Sequence, residues 1–137
     1  MPQTLPRVAA VLLACSMVAV ASAQKPTNKE KPLAIKDIML ATHTKTGPLN
    51  KVGQAVKGGR WDEAAPLAVA LVKAGDDLAK AKAPAKGSAA SWAKLVEQYQ
   101  TDTKAIVAAI ANKDVKDFKD ALDTLNSSCR TCHTTHK

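Results

Sequence analysis

Residues 115–137 read VKDFKDALDTLNSSCRTCHTTHK. Val115, Phe118, Leu122 and Leu125 recur at intervals of three and four, the spacing at which side chains share one face of an α-helix. The same count continues to Cys129 and Cys132, so the core-facing stripe of one helix carries both cysteines inward. Upstream, Asn112-Lys113-Asp114 makes a turn, and before it Trp92, Leu95, Val96, Tyr99, Ile106, Val107 and Ile110 mark a second stripe, with Ser88 or Ser91 as its cap. Further back, Asp62 is the expected cap of a helix that carries Leu67, Val69, Leu71, Val72 and Leu78 and runs to about Ala83. Its Pro66 falls early enough to be tolerated. Residues 79–90, AKAKAPAKGSAA, read as a solvated helix end and a loop. The first stripe is Leu33, Ile35, Ile38, Met39 and Thr42. Gly47-Pro48 interrupts it, Leu49, Val52 and Val56 resume it, and Gly58-Gly59 stop it, which predicts one helix broken or kinked near Gly47. Four amphipathic helices over residues 33–137, joined by short connections, predict an all-α protein, an antiparallel four-helix bundle.

Composition agrees. A length of 137 residues suits one domain, and 46% of the chain is apolar while only 3% is aromatic. Much of the apolar share is alanine, which favours helix over sheet and argues against a β-sandwich. Stripes of Ala, Val and Leu also leave space between helices unless something else fills it.

The first 23 residues stand apart. Arg7 precedes an apolar run at residues 8–20, followed by Ala21-Ser22-Ala23 and the polar Gln24-Lys25-Pro26, the pattern of a cleaved secretory signal peptide. The apolar run is shorter than the roughly 20 residues that span a bilayer as a helix, so no stable membrane span is expected. Leu12-Leu13-Ala14-Cys15 offers an alternative, a lipoprotein box that would anchor the chain through Cys15. The residues after Cys15 stay apolar, which favours cleavage after Ala23. Residues 24–32, QKPTNKEKP, read as a flexible lead-in. Cleavage removes Arg7 and Cys15, which lowers the net charge of +8 by one and leaves Cys129 and Cys132 as the only cysteines.

Cys129-Arg130-Thr131-Cys132-His133 is C-x-x-C-H, the attachment pattern of c-type haem. On a helix, residues three and four apart share a face. Both thiols can therefore reach the vinyl groups along one porphyrin edge, with His133 on that side as proximal iron ligand. A chance match is expected at roughly one in a thousand on composition. The other readings are weaker. A disulfide across so small a loop stabilises little, a thioredoxin-like pair lacks its βαβ context, and a zinc site would crowd Cys129, Cys132, His133 and His136 into eight residues.

Four helices with C-x-x-C-H in the last resemble the class II cytochromes c, the family of cytochrome c′ and the low-spin cytochrome c556. The resemblance covers the chain beyond the signal peptide in layout, and only the motif is specific. It implies one covalent haem c and a first helix crossing the distal side of the iron. It also implies that Lys137, four residues after His133, contacts a haem propionate. The position before that basic residue is commonly aromatic in the family and is His136 here, a departure. Cytochrome c′ presents an apolar distal residue and leaves iron five-coordinate, whereas low-spin members supply a methionine. Met39 resembles that methionine, and His43, one turn on, is a second candidate for the sixth ligand. Their plain readings are a flexible core filler and a surface histidine.

A six-coordinate haem suits electron transfer, and an open position suits binding of NO or CO. An exported electron carrier is therefore the leading expectation, periplasmic or otherwise outside the cytoplasm, and a gas-binding protein the alternative. No nucleophile–base constellation points to an enzyme. The positive charge favours docking to acidic redox partners. Nucleic acid is not expected, since the aromatic interleaving of a binding groove is absent. A homodimer through the early helices is a further implication of the family.

Overall fold

Gly47-Pro48 separates two helices rather than kinking one. The computed structural model describes residues 32–137. The expected signal peptide, Cys15 and the lead-in as far as residue 31 lie outside the described residues. Within them the chain forms α1 (Ile35–Thr42), α2 (Pro48–Lys57), α3 (Trp61–Lys80), α4 (Ala89–Ala111) and α5 (Val115–His136), with no strand among the described residues. The described residues are all-α, with five helices in place of four. Pro48 opens α2 at a position where its missing amide is not needed, behind an extended Gly47. Gly47 is buried against the end of α1, and a Cβ there would stand 2.6 Å from the Thr42 carbonyl oxygen. The chain therefore turns sharply between α1 and α2 only with glycine at this point.

The other termini follow local chemistry. Ser88 Oγ accepts the Ser91 amide at 3.1 Å and caps α4. Asp114 Oδ1 accepts the Asp117 amide at 2.9 Å and caps α5, after Lys113 turns the chain at φ 54°. The cap of α3 falls at Arg60, not Asp62, which sits in the first turn with Glu63, where negative charge suits the helix dipole. That helix ends at Lys80, short of Ala83, as residues 81–83 leave helical geometry ahead of Pro84.

α3 packs between α2 and α4, α4 packs on α5, and α1 lies on α3 and α2. Val52, Leu71, Ile106 and Leu125 are fully buried where these layers meet. The face that α3 buries is built of small residues, Ala64, Ala68, Ala74 and Gly75, beside Leu71 and Leu78. Gly75 admits α4 closely: a Cβ on it would lie 3.2 Å from Tyr99 Cδ1. Three residues depart from the expected stripes. Val69 turns to solvent because the neighbouring Ala68 takes the contact. Leu33 precedes α1 and is exposed, and Val115 is exposed in the first turn of α5. Among the described residues no helix is long and apolar enough to cross a membrane.

Candidate functional site

The cysteines do not reach the close-packed centre. Beyond Leu125, α5 runs along the edge of the core, and Cys129 and Cys132 are half-buried as free thiols packed against it. They face a cleft of about 340 Å³. α5 contributes Ser128, Cys129, Cys132, His133 and His136 to its lining, and Lys137 follows directly after it. α4 contributes Trp92, Leu95, Val96 and Tyr99, and α1 supplies Ile35, Lys36, Met39 and Leu40. The volume is within the range of small-molecule and cofactor sites.

Two sets of contacts hold the α5 wall. One residue before Cys129, Ser128 Oγ donates to Asp102 Oδ2 at 2.6 Å, and the buried Asp102 also accepts Gln98 Nε2 at 2.8 Å. A carboxylate buried on α4 is thus satisfied by donors from its own helix and from α5. Beyond the motif, His136 is buried rather than merely standing in for an aromatic residue. Its ring meets Trp92 edge-on at 5.6 Å, its Nδ1 donates to the Lys86 carbonyl at 2.7 Å, and its Nε2 lies 2.9 Å from Ser91 Oγ. Gly87, at φ 86°, lets the loop close over this ring, which would collide with any side chain there. Lys86 Nζ donates to the Lys137 carbonyl at 2.7 Å and completes the clasp.

The two expected distal residues are placed differently. Met39 lines the cleft, and His43, just past the end of α1, does not. His43 Nε2 instead lies 3.0 Å from Tyr99 Oη, with the rings edge-to-face at 5.7 Å. Burial, and then the nearby Cys129, push the Tyr99 phenol well above its usual range, so it keeps its proton. Burial, and then the charge on His133, hold His43 below the ordinary imidazole value. Tyr99, which keeps its proton, is able to donate to His43 Nε2.

The donor set is two thiols and an imidazole from one helix, with a thioether on a second helix lining the same cleft. That chemistry fits a covalently attached haem. It fits the other readings poorly. Burial raises both thiols, and the neighbouring Cys132 adds to the effect at Cys129, whereas redox cysteines have lowered values. Among the described residues no three His, Cys, Asp or Glu side chains stand close enough to hold a metal ion, so the four-ligand zinc set is not assembled. Periodicity places Tyr99 on a buried stripe without giving it a role, and it does not single out Asp102 or Ser128. Tyr99 had one legible signal, a hydroxyl on a buried stripe that needs a partner.

No family model, no curated protein and no solved structure matches the chain.

Proposed function

We propose that this chain is an exported monohaem c-type cytochrome that carries electrons, with α1 and α2 together forming the first helix of a four-helix bundle of the class II type. The observation that carries the reading is the placement of Cys129, Cys132 and His133 in one cleft with Met39. Covalent haem would supply a one-electron couple at iron. Cys129 and Cys132 would hold it through thioethers, and His133, exposed in the cleft, is free to turn its imidazole to the metal. Met39 would supply the second protein ligand to the iron, since it lines the cleft while the ring nitrogen of His43 is engaged by Tyr99. A thioether favours ferrous iron and raises the potential. Lys137 lines the same cleft and is the residue for a propionate. With Lys36 it brings positive charge to the cleft, which supports docking to an acidic redox partner.

Mass and visible spectra of the exported protein test this. Extra mass of one haem that survives denaturation is expected, on a polypeptide starting at Gln24, together with sharp α and β bands when reduced. A mass equal to the polypeptide alone would sink the haem reading. Haem mass with a high-spin ferrous spectrum, and with CO or NO bound at low concentration, would replace electron transfer by gas binding. A lipidated Cys15 at the N-terminus would replace the soluble exported form by an anchored one.

A further inference from the structure

Met39 and His43 stand one turn apart, and both are chemically able to ligate iron. Their backbones are joined directly, since the His43 amide donates to the Met39 carbonyl at 2.8 Å. His43 is also within electrostatic reach of His133. Imidazole and thioether favour opposite oxidation states of haem iron, so a chain carrying both must decide which one binds. α1 does not make that choice by rigidity. It is eight residues long, has no side-chain cap and buries only Ile38 and Thr42.

The choice is made from α4. We propose that Tyr99 is a positioning residue that holds His43 off the cleft: its hydroxyl donates to His43 Nε2, engages the lone pair that would otherwise ligate iron, and leaves the distal position to Met39. The inference rests on the haem reading above. Two observations make the restraint effective. Tyr99 is itself fixed, buried on α4 against Gly75 of α3, so it is a stationary anchor for the imidazole. The bond also joins different elements, residues 43 and 99, and Tyr99 is the residue that holds this nitrogen. An imidazole that loses its buried partner gains by finding another, and iron is the strongest acceptor of that lone pair nearby.

The test uses the holoprotein and the variant Tyr99→Phe, which keeps the ring and removes the hydroxyl. Loss of the bond is expected to shift the ratio of His to Met ligation toward His43 by about 5- to 150-fold. The readouts are a weakened long-wavelength charge-transfer band of methionine-ligated ferric haem and a lowered midpoint potential. In the double variant Tyr99→Phe, His43→Ala the methionine band is expected to return, an effect that loose packing at residue 99 would not produce. If Tyr99→Phe keeps the wild-type band and potential, the proposal is overturned. It is equally overturned if the double variant fails to restore the band, or if the wild type itself carries haem without methionine ligation. A mass without haem overturns the underlying reading instead. Nitrogen NMR of His43 in the reduced wild type gives a check that needs no variant. A shift typical of a neutral, hydrogen-bonded Nε2 supports the restraint, and an iron-bound shift overturns it.

Discussion

α5 and α1 face the same cleft but are held in opposite ways. α5 has 22 residues, an Asp114 cap at its start, Phe118 and Leu125 in the core, and a clasp of His136, Lys86, Ser91 and Trp92 at its end. α1 has 8 residues, no side-chain cap, and exposed residues at each side of the Met39 turn, Lys36 and Leu40 among them. Stability in such a structure is not uniform, and elements with few buried contacts open first. The wall that would hold a group permanently is therefore the rigid one. The wall that would exchange a ligand or admit a small molecule is the weakly held one, with its choice of side chain imposed from α4.

The largest effect that separates the two walls is chemical. Replacing Cys129 and Cys132 together by alanine is expected to abolish covalent haem. Met39→Ala is expected to leave the haem mass intact and change only the spectrum and potential. Mass spectrometry with visible spectra checks both, and loss of haem mass from Met39→Ala would erase the distinction.

Packing comes next. Leu125 of α5 is fully buried, so Leu125→Ala is expected to cost about 2–5 kcal/mol in denaturant unfolding. Leu40 of α1 is 55% exposed, and Leu40→Ala is expected to change stability by no more than about 0.5 kcal/mol. Caps give a smaller contrast in both directions. Asp114→Ala removes the acceptor of the Asp117 amide and is expected to cost about 1 kcal/mol. Ala34 occupies the cap position of α1 in extended geometry without a side-chain acceptor, so Ala34→Asp is expected to add up to about 1 kcal/mol. A gain there with slower amide exchange in α1 would sharpen the comparison, and no change would weaken it.

The smallest expected effect is on pH dependence. Folding holds His43 below its ordinary value of 6.5, chiefly by burial, so the unfolded chain takes up a proton first as the pH falls. The stability that neutral His43 contributes is fully present above about pH 6.5 and is lost as pH falls through the lowered folded value. In haem-free protein, unfolding curves of wild type and His43→Gln are expected to converge on acidification. Parallel curves would show that His43 is not held neutral.

Much of the layout was legible as periodicity. The stripes of α4 and α5, the turn at Asn112-Lys113-Asp114 and the Ser88 cap depend on interactions within a few residues, which a linear reading captures. The motif at Cys129, Cys132 and His133 was legible for the same reason, since its spacing is that of a single helix turn. The errors fell where a neighbour decides. Periodicity places Val69 in a core that Ala68 occupies, because only the packing of the helices selects the smaller side chain. Gly47-Pro48 marked an interruption, but whether it kinks or divides a helix depends on the space beside the Thr42 carbonyl.

The amino-acid sequence by itself determined that this chain is helical and that two cysteines and a histidine share one face near the end of the last helix. Backbone periodicity is a local property, and these features follow from it. Only the tertiary structure decided that Met39 lines the cleft while His43 turns to Tyr99. It also decided that His136 closes on Lys86 and Trp92. These pairings join residues 56 and 50 positions apart in the cases of His43 with Tyr99 and His136 with Lys86. No spacing rule reaches so far; helix packing brings those groups within hydrogen-bond range.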